Sequence, residues 1–174
     1  FTDLFPNVEA FQHTTNQSDI FEYHSEPINA KNVPENLKGL RTMFLSFHHF
    51  QPKNAKMILQ NAINSNQPIA VLEIQDRSLP SIVAMLLSPV SVLFTTPFIR
   101  PFRWSRLFFT YLIPIVPFVV LWDGIVSALR TYTVEEMRNL INSLENNTAF
   151  EWNFNKKKSK TGFVIYTIGI PKKQ

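Results

Sequence analysis

The stretch TMFLSFHHFQP, Thr42 to Pro52, decides how the chain is read. An apolar run ends in two adjacent histidines. Pro52 then stands where a first helical residue belongs, because a missing N–H and a fixed φ do no harm there. Ala55, Ile58, Leu59, Ala62 and Ile63 follow at the i, i+3, i+4, i+7, i+8 spacing of one buried helix face. The expectation is a strand over 40–47 that runs into a helix, with His48 and His49 emerging at the strand's carboxyl end. Three roles suit such a pair: metal ligands, a catalytic pair, or hydrogen-bonding residues at the rim of a sheet. Consecutive side chains on an extended chain point to opposite faces, and zinc or iron usually takes three or four ligands. Only His13 and His24 remain as further histidines and there is no cysteine, so the composition speaks against a metal. An imidazole with an ordinary pKa of ~6.5 suits a general base near neutrality, and His48 is preferred to His49 for it. A plain structural role at the rim stays open.

On either side of this stretch, apolar runs alternate with amphipathic ones through the first half of the chain, the pattern of a parallel sheet covered by crossover helices. The candidate strands are 20–23, 40–47 and 68–74. Farther on, Thr133-Val-Glu-Glu136 reads as a capping box that opens a helix bearing Met137, Leu140, Ile141 and Leu144, with Asn146 and Asn147 as its stop. The end of the chain changes character. Phe150, Trp152 and Phe154 alternate with Glu151, Asn153 and Asn155, and after a lysine-rich turn closed by Gly162 an apolar run covers 163–170: an antiparallel hairpin.

Residues 78–122 are unlike the rest. They hold no acid and only three charges, Arg100, Arg103 and Arg106. The uncharged run 78–99 has the ~20 residues that a membrane-crossing helix needs, whereas 107–122 falls short, and five prolines break both. Three readings stand: a membrane hairpin, an amphipathic patch with its arginines against lipid phosphates, or a buried, substrate-covering insertion.

At 174 residues, 45% hydrophobic and 13% aromatic, the chain suits one domain with a sizeable core. Its formal charge of +4 is local, since six of the seventeen basic residues lie in the last nineteen positions, which disfavours nucleic acid as a partner. The absence of cysteine fits a reducing compartment, here the cytoplasm with the option of membrane association. A start at Phe1 gives the look of a chain cut from something longer. There is no Gly-x-Ser-x-Gly elbow, phosphate loop or His-Glu-x-x-His, so the usual hydrolase readings fall away.

The segments TDLFPN, LSFHHFQP, EIQDRS and WDGIVSALRTYT resemble uncharacterised bacterial members of the class I S-adenosylmethionine-dependent methyltransferases, a likeness that extends over nearly the whole chain. It implies an α/β, Rossmann-like, mostly parallel sheet with an antiparallel C-terminal hairpin. Residues 1–174 would form a single domain, with 78–122 an apolar helical insertion after the family's fifth strand, either a lid or membrane-contacting. The glycine loop would precede residue 1, leaving the fragment a weak binder of cofactor. In S-adenosyl-L-methionine binding, Asp3 would take the ribose hydroxyls with Leu4 beside it. Asn29 and Ala30 would read adenine, and Phe47 would stand between methyl and substrate. Asn29 replaces an acid common in the family. The likeness makes His48 and His49 the catalytic candidates, and Glu73, Asp76, Arg77, Asp123 and Arg130 the substrate-binding ones; Asp76 and Arg77 could instead pair with each other, and Asp123 could cap a helix that starts there, with Arg130 in an ion pair. The acceptor would be a hydrophobic small molecule or lipid, with peripheral membrane contact. The alternative is a membrane-associated, non-catalytic binding or adaptor protein of the same fold.

Overall fold

The run Ile-Ala-Val-Leu-Glu forms the centre of the sheet. In the computed structural model, which describes residues 1–159 and 162–173, strand β2 (Ile69–Glu73) has Ile69, Ala70, Val71 and Glu73 buried. Burial on both faces is what a continuous apolar run demands. Strand β1 (Arg41–Phe44) pairs with β2 in parallel, from Arg41 against Ile69 to Phe44 against Leu72. Between them runs helix α2 (Pro52–Asn64), with Pro52 in its first turn and all five predicted positions buried. This is one strand–helix–strand unit, as the sequence implied.

The rest of the sheet overturns the expected fold class. Its order is β1-β2-β4-β3, where β3 is Phe150–Ser159 and β4 is Gly162–Pro171. Strand β4 lies antiparallel to both β2 and β3, so two of the three pairings are antiparallel. The sheet is thus mixed and four-stranded, not mostly parallel and Rossmann-like. Two physical causes stand out. Residues 20–23 form no strand: Ile20 is exposed, and Phe21 and Phe11 pack on the ring of Phe1 instead. The apolar run of β4, with Ile165, Thr167 and Gly169 buried, takes a central place that a solvent-facing edge strand would not.

The hairpin forms, but Lys156, Lys157 and Lys158 of the expected lysine-rich turn belong to β3, and Lys160 and Thr161 lie outside the described residues. Phe150, Trp152 and Phe154 turn toward the core while Glu151, Asn153 and Asn155 face out. Gly169 lies opposite Trp152, and a Cβ there would come within 2.4 Å of the indole ring. The core is closed by α2 and by helix α7 (Val134–Asn142), whose Met137 and Ile141 are buried. The capping box at its start is complete: Thr133 accepts from the Glu136 amide and the Glu136 carboxylate accepts from the Thr133 amide. The helix stops at Asn142, before the expected asparagines; Asn146 adopts a left-handed conformation that redirects the chain into β3.

The stretch 78–122 becomes a chain of short helices. Helices α3 (Leu79–Leu86) and α4 (Ser88–Thr95) each begin with a proline in the first turn. After α5 (Trp104–Leu107) and a π-helical stretch, Phe108–Leu112, comes α6 (Ile115–Arg130), which packs on α3 and α4. Among the described residues no single helix is long and apolar enough to cross a membrane. Two bent pairs reach the length together: Leu79–Leu86 with Ser88–Phe98 at 40°, and Trp104–Leu112 with Ile115–Arg130 at 78°. Helix α1 (Val8–Thr15) lies near the amino end, with its Asn7 cap accepting from the Ala10 amide.

Candidate functional site

Strand β1 ends at Phe44, not at residue 47, because Leu45 takes a left-handed conformation (φ 50°) while its amide still bonds to Leu72. Residues Phe47–His49 then wind into a 3₁₀ turn instead of continuing extended. This changes how the histidines relate to each other. They do not point to opposite faces; their rings lie 4.2 Å apart between centroids, tilted by 41°. His48 is buried and His49 exposed.

The parallel register carries Glu73, the last residue of β2, beneath this turn. One carboxylate oxygen accepts from the Phe47 amide (2.8 Å) and the His48 amide (3.2 Å), and the other bonds to His48 Nδ1 at 2.8 Å. A carboxylate only accepts, so Nδ1 is the protonated nitrogen and Nε2 is the one left to accept a proton. Glu73 and His48 are both about 4% exposed, so the pair is fixed by burial as well as by bonding. Sequence reasoning named Glu73 as a substrate ligand, whereas its contacts are with the turn and the imidazole.

His48 and His49 line a cleft of about 380 Å³ shared with Gln51, Arg77, Arg130 and Tyr132. The Tyr132 hydroxyl donates to the Phe50 carbonyl (2.8 Å), and burial, reinforced by the negative charge of Glu136 and opposed by Arg77, raises its pKa. Glu136 also borders the cleft and binds Arg77 at 2.9 Å. Burial works to raise the Glu136 pKa, but the Thr133 amide and Arg77 bring it below the ordinary carboxylate value. Tyr132, Glu136, Gln51 and Leu129 were not singled out from the sequence. A capping-box glutamate carried the only available signal, and that signal was structural. Arg130 is exposed and makes no ion pair among the described residues.

The other nominated residues lie elsewhere. Phe47 is fully buried, its ring against Phe50 and Tyr132, and is core. Asp76 is buried and ion-paired with Lys156 of β3, and it accepts from the Ser78 amide and hydroxyl. Burial pushes its pKa upward, yet Lys156 and Ser78 together hold it below the usual carboxylate value. Asp123 is no helix cap, because α6 begins eight residues earlier at Ile115; it borders an apolar groove of about 540 Å³ with Ile113, Phe118 and Trp122. Along α6, Asp123 and Arg130 lie about 10 Å apart.

The residues assigned to S-adenosylmethionine do not fit that group as they stand. Asp3 is on no strand, and its carboxylate accepts from the Phe5 amide two residues on. Leu4 is exposed. The Asn29 side chain accepts from the Lys31 amide, closing a local turn. Ala30 lines a separate cavity of about 630 Å³ along β1 that contains no residue of the histidine cleft. Asp3 and the imidazoles therefore border no common crevice. Two guanidinium nitrogens of Arg41, which also borders that cavity, are buried without a hydrogen-bond partner among the described residues, and burial lowers its pKa. Among the described residues, no three His, Asp or Glu side chains gather as metal ligands. No protein-family model, curated protein or solved structure matches the chain.

Proposed function

We propose that the chain supplies the acceptor side of an S-adenosylmethionine-dependent methyl transfer to a hydrophobic small molecule or lipid. The observation that carries this reading is the buried His48–Glu73 pair at the carboxyl ends of two parallel strands, opening on a cleft. Ligands of open α/β sheets gather at such edges. Held by Glu73, His48 accepts through Nε2 the proton that a hydroxyl or amine nucleophile gives up on acquiring a new substituent, and the carboxylate stabilises the resulting imidazolium. His49, Arg130 and Tyr132 border the space in which that nucleophile is positioned. The likeness of LSFHHFQP and EIQDRS to the methyltransferases supports the choice of reaction. The donor's binding groups are not among Asp3, Leu4, Asn29 and Ala30 in their present arrangement, so no step is assigned to them.

The test uses the protein as its gene encodes it, incubated with methyl-labelled S-adenosylmethionine and a membrane-lipid extract. Label is expected in the organic phase and is lost in the His48→Ala variant, whose folding is checked by circular dichroism. Equal incorporation with and without His48 overturns the assignment, as does a complete lack of label. Calorimetry on the 174-residue chain with the same cofactor is expected to show weak binding or none; tight binding would return the donor site to the Asp3 and Asn29 region.

A further inference from the structure

We propose that residues 79–122 dock this protein on one leaflet of an anionic phospholipid bilayer, without crossing it. Among the described residues 34 large hydrophobic side chains are exposed, and 21 of them fall in this segment, a quarter of the chain. Phe94, Phe98, Trp104, Leu112, Phe118 and Trp122 are each between 65% and 79% exposed. A monomer in water rarely exposes so many large apolar side chains on one set of packed helices, and α6 already uses its inner side against α3 and α4.

Charge identifies the occupant. The segment has no Asp or Glu, so nothing in it repels an anionic surface. Arg100 and Arg103 are exposed and without ion pairs among the described residues, and Arg106 bonds only to the Ile99 carbonyl at the same bend. Arg100 and Arg103 sit where the two bent helix pairs join, and Arg106 reaches back to that junction from α5. Lipid phosphates complement this cluster, whereas a second copy of the chain would bring the same positive cluster against itself. Trp104, Trp122 and Tyr111 are of the aromatic type that settles at headgroup depth.

Geometry selects one leaflet. The pieces α3 and α4, of eight residues each, span about 12 Å apiece against a hydrocarbon core of about 30 Å. Bends of 40° and 78° turn the pairs aside, and crossing would carry three arginines through the hydrocarbon. Helix α6 links the two regions: its first half borders the apolar groove, and its last residues, Leu129 and Arg130, border the histidine cleft. A bilayer-dissolved acceptor would therefore meet the cleft along this helix. The docking itself stands whether or not methyl transfer does.

Sedimentation with vesicles of phosphatidylcholine alone, or with about one third phosphatidylserine, tests the proposal. Binding to the anionic vesicles is expected, and the loss of each arginine weakens it about fivefold, so Arg100→Gln with Arg103→Gln gives about 25-fold. Phe98→Asp with Leu112→Asp, at exposed positions, abolishes binding while circular dichroism stays unchanged. The chain has no cysteine, so Phe102→Cys gives a single reporter at the bend. A membrane-impermeant maleimide added outside bound vesicles is expected to label it. Protein that stays in the supernatant as a monomer, or that covers the patch by self-association and ignores vesicles, overturns the proposal. So does labelling only after the vesicles are permeabilised, since that result means crossing. Vesicle binding without methyl transfer would sink the catalytic reading alone.

Discussion

Replacing Glu73 separates the structural from the chemical role of the His48–Glu73 pair. In Glu73→Ala three donors lose their acceptor: the Phe47 amide, the His48 amide and His48 Nδ1. All belong to residues with 4% or less of their surface exposed. A buried donor left unsatisfied costs roughly 1–3 kcal/mol, so three set a range of about 3–9 kcal/mol. The two amides shared one oxygen, and the third donor belongs to His48, which lines the cleft, so the low end applies. About 4 kcal/mol is expected, in line with the roughly 3–5 kcal/mol lost when one partner of a buried pair is removed. Against a total stability of about 5–15 kcal/mol, the variant is severely weakened.

Glu73→Gln has a different outcome. Its amide oxygen still accepts from the two backbone amides, but its NH₂ faces Nδ1 and forces the imidazole into the opposite tautomer. The stability loss is expected at about 1–2 kcal/mol, the difference between charge-assisted and neutral hydrogen bonds. The nitrogen facing the cleft becomes a donor, and proton acceptance is lost. Urea unfolding at constant m-value measures the first effect, and nitrogen NMR shifts of the imidazole report the second. A loss below about 1 kcal/mol in the alanine variant, or no change of tautomer in the glutamine variant, refutes the reasoning that Glu73 both holds the turn and orients the ring.

Two further outcomes follow from contacts away from the cleft. Asp76 has its pKa held below the ordinary carboxylate value by Lys156 and Ser78, despite burial. Its stabilisation is therefore present above ~3.9, the unfolded value, and is lost as pH falls through the lower folded value. Asp76→Asn should lower the urea midpoint at pH 6 and converge with the parent as the pH drops below the carboxylate range; parallel curves would contradict this. For Gly169→Ala, the new Cβ meets a rigid indole that stacks on Phe150 at 5.6 Å and donates to the Asn147 carbonyl at 3.1 Å. A loss of about 1–3 kcal/mol is expected, and it should largely vanish when Trp152 is also cut back to leucine. Equal losses in both backgrounds would place the strain elsewhere.

The elements that could be read from the sequence are those whose pattern is dictated by local chemistry and burial. Five apolar residues at helical spacing after Pro52 admit one arrangement, and α2 takes it. Thr133 and Glu136 satisfy each other's amides whatever surrounds them, so α7 starts where expected. The hairpin followed from strict alternation. The sheet as a whole did not, because strand order is decided by which apolar run finds a neighbour on both sides. Residues 20–23 have β-type side chains, yet isolated from the sheet they gain nothing by extension, and Phe21 gains by stacking on Phe1. The run 163–170 read only as one arm of an antiparallel hairpin, with no signal for its second neighbour; burial of alternate residues draws it between β2 and β3.

The same distinction between local and distant partners explains the site. Asp3 and Asn29 were assigned to a nucleotide through residues that would have to converge from distant strands. A short polar side chain next to a free amide two positions on bonds there first, since that contact requires almost no ordering of the chain. Both residues do so. His48 and Glu73 are twenty-five residues apart, and no local rule joins them. Their meeting follows from the pairing of Phe44 with Leu72: that register brings the end of β2 alongside the turn after β1, where three donors are buried. An acid that closes an apolar strand, beside an imidazole that closes its parallel neighbour, is thus a signal that becomes visible only once the pairing is known. A one-residue slip of that register would turn Glu73 to the other face of the sheet and leave the histidine without its acceptor.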